Sequence, residues 1–526
     1  ARAVTTPVHA TGTLNLGLHR EGDADPKPAE IAYTNPTGTP VTVDLAAELS
    51  NLDHPGDASD AIGLGTDRLT VPAGATVTVP VTVDLDRLER GKHAGRITAT
   101  GPDGTVARTT VSGTLAGPTH TVTFRAVAAD GSPTGMDLVM LRGLDRRTDQ
   151  IDGWVGEQGT TFQVEEGTYH LTVLVMDFDR QFEQSHLLTD PEFEITGEQD
   201  EVVLDVGDTV PVEIETPKPS EQRAIFSYYT HRVMPNGRAV SHGVMHFSVT
   251  RQVNVTPTDP VSGGEFEFSS RWQLVAPMVD AQVQGVTGPL DINLLHQSPT
   301  FDDRRQFRLV FAGTGTPAEL ADAPGVRGAA VVLTGVEDRS EQEQIVAAAA
   351  AGAAAVLIVR AADFPPWTVW RPNGDREPIP AMVVGHPDGQ RIIERIRDRS
   401  GRLSLKLTVD SPYLYDVFHV ETGRVPDRIV HRVTPANSAR FQVGYTDLGG
   451  FGWLKEQRFG WRPWQDFAWN DYQRFLRAGQ TREEWVSAGD SLWQHRVQHE
   501  YTWDDMNPLL GGMTEAPRSY RAGQAD

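Results

Sequence analysis

A strand–helix–strand block in residues 326–359 constrains the fold of this chain more than any other stretch. Residues 326–333 (V-R-G-A-A-V-V-L) and 355–359 (A-V-L-I-V) are short apolar runs, the pattern of buried strands. Between them, Ser340 and Glu343 have the spacing of a capping box, a run of alanines favours a helix, and Gly352 suits the residue after a helix end. Strand, helix and strand in this order predict a βαβ unit with parallel strands.

The pattern continues on both sides of this block. Before the block, residues 308–312 have the pattern of a strand. After it come a predicted strand at 379–384 (I-P-A-M-V-V), an amphipathic helix at 388–397 and a strand at 403–407. The whole of 308–409 resembles the protease-associated (PA) domain, from "V-R-G-A-A-V-V-L-T-G" through "A-A-G-A-A-A-V-L-I-V" to "I-P-A-M-V-V". A generic Rossmann-like piece is the alternative, but no G-x-G-x-x-G follows either strand. The resemblance implies a non-catalytic insertion in a secreted protease that influences substrate access or protein contacts.

Composition limits the classes of partner. The 526 residues predict roughly three to five domains of about 100–200 residues each. A formal net charge of −24 argues against nucleic acid and against an anionic membrane surface, because both need basic patches. The longest apolar run, 345–359, is shorter than the ~20 residues of a membrane-spanning helix. The absence of cysteine fits a secreted bacterial protein and a cytosolic protein equally.

Residues 1–116 have the alternation of an all-β sandwich. Apolar residues alternate over 41–45 and 77–83, and Pro80, on the opposite parity, predicts that its strand lies at a sheet edge. The pattern resembles the fibronectin III-like module that follows the catalytic domain in large actinobacterial subtilisin-like (family S8) serine proteases. The opening A-R-A-V resembles the last residues of that catalytic domain. It is not a signal peptide, so we expect an upstream segment that has been removed or separated.

The remaining chain is also patterned as strands. Residues 117–206 predict a small β-sandwich, whose "E-G-T-Y-H-L" resembles the transthyretin-like type. We interpret residues 207–307 and 410–526 as one discontinuous, aromatic-rich β-sandwich into which the PA domain is inserted, with two separate sandwiches as the alternative. The predicted fold class is therefore mainly β and multi-domain, with fibronectin III-like and transthyretin-like β-sandwiches and an inserted α/β PA domain.

The sequence lacks the motifs of a subtilisin active site. In that family the Asp, His and Ser lie in D-[ST]-G, H-G-T and G-T-S-M-A, and none of these occurs here. His242 lies in S-H-G-V, which lacks the threonine. The resemblance implies that the triad lies upstream, so no catalytic and no cofactor-binding residue is predicted in this chain.

Two weaker motifs could carry chemistry of their own. Ser491 and His495 lie in and after a G-D-S-L, which resembles an esterase motif, but its late position in an aromatic β region favours a polar loop. Two pairs with His-x3-His spacing, His242/His246 and His495/His499, could face a metal, but neither contains the glutamate of H-E-x-x-H. Core or surface histidines are the simpler interpretation, and no metal ligand is predicted.

Acidic pairs could bind structural calcium in a secreted β protein, although none has the ligand spacing of an EF-hand. Solvated acidic turns are the simpler interpretation, so no calcium site is placed and no cofactor is predicted. The pairs are Asp84 and Asp86, Asp302 and Asp303, and Asp504 and Asp505.

Seven of the eleven tryptophans lie between residues 453 and 503. They could form an exposed platform for a peptide, a sugar or a catalytic domain, or they could fill the core of a β-sandwich, which we favour. Trp367, Trp370 and Arg371 lie in an expected loop of the PA-like block, and loops held by a rigid scaffold often carry contacts. The predicted interaction residues are Trp367, Trp370, Arg371, Trp453, Trp461, Trp464 and Trp469.

Three hypotheses follow. The first is a non-catalytic C-terminal part of a secreted subtilisin-like serine endopeptidase. Its expected partners are the upstream catalytic domain and a protein or peptide substrate, and neither nucleic acid nor a membrane is an expected partner. The second is a stand-alone extracellular protein that binds sugar or peptide through its tryptophans. The third is a hydrolase that acts through Ser491 or a histidine-bound metal.

Overall fold

The computed structural model describes most of the chain, and strands dominate the described residues. These are residues 7–54, 56–102, 104, 106–135, 137–144, 150–176, 183–197, 200–222, 226–246, 250–364, 366–372, 376–398, 401–446, 450, 452–466, 468, 474–499 and 512–525. Strands account for 54% of them and helices for 8%, distributed over several sheets. The prediction of a mainly β, multi-domain fold is confirmed.

The N-terminal region is a sandwich of two sheets. One sheet has the strand order β1-β3-β8-β6, and the other has the order β2-β10-β9-β4-β5 with β7 paired to β4. Alternate residues of both sheets meet in the core, where Ile31, Tyr33 and Ile97 are buried. The strands are β1 (His9–Ala10), β2 (Thr13–Arg20), β3 (Ala29–Thr34), β4 (Val41–Asn51), β5 (Gly56–Asp57), β6 (Ile62–Leu64), β7 (Arg68–Val71), β8 (Thr76–Val83), β9 (Gly91–Thr100) and β10 (Val106–Ala116).

The prediction that Pro80 marks an edge strand is wrong. β8 pairs with β3 on one side and with β6 on the other. The proline is tolerated because β6 ends at Leu64, opposite Val81, so no ladder partner faces the missing N–H group. The next residue of that chain, Gly65, donates its own N–H to the Pro80 carbonyl at 2.9 Å.

The second region combines a three-stranded sheet, β14-β11-β17, with part of a seven-stranded sheet. The larger sheet has the order β13-β12-β15-β16-β22-β18-β32, so it extends past the predicted boundary at residue 206 into later parts of the chain. Long-range pairing of β16 with β22 makes this extension, and a local pattern does not predict it. The strands between residues 119 and 275, some of which belong to a further sheet described below, are β11 (Thr119–Val127), β12 (Asp137–Gly143), β13 (Gln150–Val155), β14 (Thr160–Glu165), β15 (Gly167–Met176), β16 (Gln184–Ile195), β17 (Glu201–Asp205), β18 (Val210–Glu215), β19 (Glu221–Gln222), β20 (Phe226–Val233), β21 (Ala239–His246), β22 (Gln252–Val255) and β23 (Glu265–Val275).

An α/β unit interrupts the β structure. Its sheet has the order β24-β30-β26-β27-β28-β29-β25, in which β26, β27, β28 and β29 run parallel. The sheet begins at residue 279, so it extends N-terminal to the predicted boundary at 308. The elements are β24 (Val279–Val283), β25 (Ile292–Leu294), β26 (Arg305–Phe311), α1 (Pro317–Asp322), β27 (Ala330–Thr334), α2 (Glu341–Ala350), β28 (Ala355–Val359), β29 (Ala381–Val384), α3 (His386–Asp398) and β30 (Gly401–Leu407).

Local signals set the ends of helix α2, as predicted. Ser340 Oγ accepts from the Glu343 N–H, and the Glu343 carboxylate accepts from the Ser340 N–H at 2.9 Å, which completes the capping box. Gly352 follows the helix with a φ of 85°, a conformation that costs glycine little. Alternate residues of β27 then pack against opposite helices, Val331 with Ile345 of α2 and Val332 with Ile392 of α3.

Strands from both sides of the α/β unit share one sheet, as a discontinuous domain requires. β23 precedes the unit and pairs along its length with β31, which follows it, in the order β21-β20-β23-β31-β36-β33. A four-stranded sheet, β35-β34-β37-β38, packs against this sheet through Trp493 and Phe418. The C-terminal strands are β31 (Tyr413–Thr422), β32 (Ile429–Arg432), β33 (Ser438–Gly444), β34 (Trp453–Trp461), β35 (Arg474–Arg477), β36 (Thr481–Ser487), β37 (Leu492–His499) and β38 (Met513–Thr514).

Candidate functional site

A small pocket lies where the chain enters and leaves the α/β unit. Its walls come from the segment after β23, from the segment after β30, from the loop over residues 366–371, and from strands β35 and β36. A ligand here would touch the α/β unit and the C-terminal β region together. The apolar wall residues are Val275, Met278, Trp367, Trp370, Val409 and Phe475.

The loop that carries Trp367 and Trp370 is held from several sides. Arg360 forms an ion pair with Glu341 at 2.7 Å and donates a hydrogen bond to the Trp367 carbonyl at 2.8 Å. The indole N–H of Trp370 donates to the Ser298 carbonyl at 2.9 Å, and its ring is buried. These contacts hold the pocket wall in place before any ligand binds, which lowers the entropic cost of binding.

Trp370 also links the α/β unit to the C-terminal sheet. Its ring meets that of Trp453 edge-on, with centroids 5.6 Å apart, and the guanidinium of Arg477 lies over the Trp453 ring. Arg371, the next residue along the loop, is half-buried, and its backbone N–H donates to the His296 carbonyl at 3.1 Å. The structure therefore brings together four of the predicted interaction residues, three from the loop and one from β34.

Buried charges lie behind this pocket. The carboxylates of Asp416, Glu456 and Glu484 are fully buried between the two C-terminal sheets. Glu456 binds Arg474 at 2.5 and 2.7 Å. Glu484 binds Arg482 at 2.6 Å. Charged residues thus occupy inward positions of a β-sandwich that would ordinarily be apolar, and they are retained there because each carboxylate has a guanidinium partner.

The guanidiniums keep these carboxyl groups ionised. Burial acts to raise the pKa of Glu484, but the neighbouring Arg482 and Arg458 outweigh burial and lower the pKa to about 2. Burial likewise acts to raise the pKa of Glu456, and Arg474 with Arg482 holds it well below the usual range. The network is therefore a set of fixed charges rather than a proton donor near neutral pH.

Arg474 and Arg482 connect this network to the pocket, because both line it. Arg482 is 2% exposed, and its Nε and Nη2 atoms donate to Glu484 at 2.9 and 2.6 Å. Nη2 also donates to the Tyr445 hydroxyl at 2.8 Å. The guanidiniums of Arg474 and Arg482 therefore join the buried carboxylates to the wall of the pocket.

The other predicted tryptophans lie elsewhere. Trp464 stacks on His231 with ring centroids 4.3 Å apart, and its indole N–H donates to Glu267 at 3.0 Å. With Tyr229 and Ser241 it lines a separate pocket. Trp461 is half-buried at the end of β34.

Trp469 and Trp503 lie outside the described residues. Trp485 and Trp493 are buried in the β core, as the core interpretation of the cluster expects. The most exposed tryptophan of the described chain is Trp154, at 63%, in the second region. Sequence reasoning did not single it out, because it has no aromatic neighbours along the chain.

The G-D-S-L serine is not placed as a nucleophile. Ser491 is buried, and its hydroxyl accepts a hydrogen bond from Arg462 Nη1 at 2.9 Å. Arginine stays protonated, so it cannot act as the general base that a serine needs. His495, the predicted partner, instead contacts the Glu456 carboxylate at 3.2 Å. The pair that the esterase interpretation requires is therefore not formed.

The histidine pair of β21 packs as part of the core. His246 is buried and lies against Phe226 and Tyr228, with ring centroids 5.1 and 5.3 Å away. Burial lowers the pKa of both His242 and His246 to about 4. The side chain of His499 lies outside the described residues. Across the described ranges, no three histidine or acidic side chains form a group that could hold a metal ion.

The acidic pairs considered for calcium have ordinary surface contacts. The Asp84 carboxylate accepts from Arg87 at 2.9 Å, and the Asp302 carboxylate lies 3.5 Å from Arg477. Asp504 and Asp505 lie outside the described residues. None of the helices in the described part of the chain has the length and apolar character needed to cross a membrane.

Comparisons with known proteins give local matches only. No family model matches the chain, and no curated protein matches it. Among solved structures, an aminopeptidase from Aneurinibacillus sp. strain AM-1 is 18% identical over 30% of this chain and 35% of that chain, with a TM-score of 0.22. A zinc aminopeptidase from Bacillus subtilis is 18% identical over the same shares, with a TM-score of 0.20.

A PapD-like domain of human CEP192 is 14% identical over 22% of this chain and 87% of that domain, with a TM-score of 0.18. Peptidases and PapD-like β domains are thus among the local structural neighbours of this chain. The chain spans about a third of the length of the two aminopeptidases. Matches of this size and TM-score do not establish a shared activity.

Proposed function

We propose that this chain is the non-catalytic C-terminal part of a secreted subtilisin-like serine endopeptidase, in which it binds segments of protein or peptide substrate and controls their access to the upstream catalytic domain. The observation that carries the proposal is the pocket beside Trp367. It lies on the α/β unit whose sequence resembles the PA domain, and it reaches the β region at both chain crossings.

The chemistry of the pocket suits an extended peptide. Trp367 also lines a second pocket together with Ile214 and Arg251, so this one side chain borders two pockets. Such clefts take alternate side chains of an extended segment, while aromatic walls supply contact area at a low entropic cost. The loop over residues 366–371 is held in place without a ligand, which supports a role in binding a substrate segment rather than in catalysis.

The test uses the native secreted protein with Trp367→Ala. We expect the rate of casein hydrolysis, relative to that of a small chromogenic peptide, to fall about tenfold, the effect of losing one aromatic contact of roughly 1–2 kcal/mol. Trp154→Ala is the matched control, since that exposed tryptophan lies on β13, far along the chain from the pocket. An unchanged ratio in Trp367→Ala, or the same change in Trp154→Ala, would overturn the proposal.

A stand-alone extracellular sugar- or peptide-binding protein is the second candidate. The stack of Trp464 on His231 beside an open pocket favours it, because stacked rings bordered by hydroxyl and amide groups suit sugars. That candidate predicts saturable binding of an oligosaccharide such as cellohexaose by the isolated chain, lost in Trp464→Ala and kept in Trp367→Ala. The first proposal predicts no such binding.

A further inference from the structure

Strand β21 forms one edge of the sheet that also contains β20, β23 and β31. Hydrogen bonds of an antiparallel strand alternate between its two sides, so every second residue of β21 points its N–H and C=O groups away from β20. Among the described residues, the backbone of β21 forms hydrogen bonds only with β20. This edge is therefore open to hydrogen bonds from another polypeptide.

The sequence of β21 does not protect this edge. Edge strands in natural proteins are commonly guarded by a lysine, a proline, a bulge or a very short length. β21 has eight residues, A-V-S-H-G-V-M-H, with neither lysine nor proline, and it pairs with β20 along its length without a bulge. Gly243 lies in its interior, and a glycine within a strand often marks a place where another backbone approaches closely.

A pocket borders the same edge. Three successive residues of β21, Ser241, His242 and Gly243, line it together with Trp464. Successive side chains of a strand point to opposite faces of the sheet, so a pocket that three successive residues line reaches the backbone of the strand. We call it the Trp464 pocket. A polypeptide bound along β21 would place a side chain beside this pocket.

The other residues of the Trp464 pocket supply aromatic walls and one carboxylate. Tyr229 and Trp464 are the aromatic residues, and Asp466 is the acidic one. The Asp466 side chain is exposed and pairs with no described residue. Burial lowers the pKa of His242 to about 4, so that ring carries no positive charge at neutral pH. The pocket therefore suits a long basic side chain, whose methylene groups pack on the rings while its charged end meets the carboxylate.

We propose that β21 binds an extended segment of another polypeptide as an added strand, with an arginine or lysine side chain of that segment in the Trp464 pocket. Backbone hydrogen bonds supply affinity, and the pocket supplies the preference for a basic residue. The site goes beyond the proposed function, because none of the described residues lines both this pocket and the Trp367 pocket.

Two other occupants fit less well. A second copy of this chain would bring a β21 without lysine or arginine, and its net charge of −24 opposes close approach. A sugar would use the pocket but would leave the hydrogen-bonding groups of the strand edge without partners.

The test measures binding of strand-forming pentapeptides to the full chain by calorimetry. The parent probe is acetyl-Thr-Val-Arg-Val-Thr-amide. One derivative is N-methylated at both valines and another at the arginine and the last threonine, so each lacks the N–H donors of one side of the strand. Whichever register the peptide adopts, only one of these sides faces β21. We therefore expect one derivative to bind at least about tenfold more weakly than the other.

A third derivative tests the pocket, because citrulline in place of arginine keeps the shape and removes the charge. We expect the arginine peptide to bind about three- to fivefold more tightly than the citrulline peptide, the effect of one solvent-exposed ion pair. Asp466→Asn should reduce this ratio to below about 1.5. Asp86→Asn is the matched control, since Asp86 is also exposed and without a described partner but lies in the N-terminal sandwich.

Trp464→Ala should weaken binding of the parent peptide at least about tenfold, because it removes an aromatic wall. Circular dichroism spectra show whether this variant keeps its fold. If it unfolds, Asp466→Asn and the two methylated peptides still decide the matter, since Asp466 is an exposed residue.

The contrary results are distinct. Equal affinity for the two methylated peptides would refute strand addition, and equal affinity for the arginine and citrulline peptides would refute the role of the pocket. Competition between cellohexaose and the parent peptide would assign the pocket to a sugar. A dimer in analytical ultracentrifugation that the parent peptide dissociates would make a second copy the occupant.

The results also separate this inference from the proposed function. Peptide binding that is unchanged in both Asp466→Asn and Trp464→Ala would lie elsewhere on the chain, so the inference would fail while the Trp367 proposal stands. If no pentapeptide binds, the inference fails as well, and the casein assay on Trp367→Ala still tests the proposed function independently.

Discussion

Replacement of Glu484 by glutamine tests whether the C-terminal region is stable because each buried guanidinium is paired with a buried carboxylate. The carboxylate is fully buried and lies 2.5 Å from Arg458 and 2.6 Å from Arg482. Glutamine keeps the shape and one acceptor oxygen, but it leaves two guanidiniums short of a negative partner. Removing one member of a buried ion pair costs about 3–5 kcal/mol, so we expect Glu484→Gln to lower the free energy of local opening by that amount.

Hydrogen exchange followed by mass spectrometry measures this change where it occurs. A loss of about 3 kcal/mol corresponds to exchange more than about 100-fold faster, because each 1.4 kcal/mol is a factor of ten. We expect that acceleration in peptides from β34 and β36, which contribute Arg458 and Arg482. Peptides from β27 and β28 in the α/β unit should change far less.

Glu215→Gln is the matched control. Glu215 pairs with Arg432 at 2.6 Å, but the two side chains are 50% and 65% exposed. Water screens such a pair, so its loss should cost less than about 1 kcal/mol. The reasoning is refuted if Glu484→Gln accelerates exchange in β34 and β36 no more than Glu215→Gln does in β18 and β32.

Further expectations concern pH, a helix cap and close packing. Burial lowers the pKa of His170 to about 3 and of His246 to about 4, so the unfolded chain binds more protons than the folded one once the pH falls below about 6.5. The free energy of unfolding should therefore fall between about pH 6.5 and pH 4, by up to about 1.4 kcal/mol per pH unit for each histidine. A melting temperature that does not change with pH over this range would contradict this expectation. So would a melting temperature that depends on pH as strongly in His246→Phe as in the wild-type chain. Ser340→Ala removes half of the capping box and should cost about 1 kcal/mol in urea unfolding of the α/β unit, with an unchanged midpoint as the contrary result. Gly460→Ala would place a methyl group 2.6 Å from the Trp493 ring, so overpacking should cost about 1–3 kcal/mol, and a neutral effect would show that this ring can move.

The α/β unit could be predicted from the sequence because its signals are local. The capping box at Ser340, the glycine at 352 and the continuous apolar runs of β27 and β28 each fix an element within a few residues. Parallel strands joined by a short helix then leave few topologies open. The predicted elements of residues 308–409 are accordingly present in the structure.

The larger β architecture could not be predicted to the same degree, because pairing of distant strands determines it. β16 pairs with β22, and β18 pairs with β32 more than two hundred residues later along the chain. No local pattern contains that information. The sheets therefore continue past residues 206 and 308, and the division of the chain into domains stays a prediction.

The sequence predicts one part of the candidate site, the contact loop, but not the buried charges. Trp367, Trp370 and Arg371 were predicted as a contact loop, since aromatic residues in a scaffolded loop stand out. The buried charges were missed, because Glu456 and Arg458 read as solvent-facing residues unless the opposite sheet is known. Their alternation at inward positions of β34 and β36, beside buried aromatics, is the signal that could have revealed a charged core.

The central claim is that this chain works as the non-catalytic part of a larger secreted protease. Intact-mass measurement and N-terminal sequencing of the native secreted protein test it most directly. The account predicts a longer polypeptide that carries D-[ST]-G, H-G-T and G-T-S-M-A before residue 1. A native polypeptide that begins near Ala1 after a signal peptide alone would contradict it.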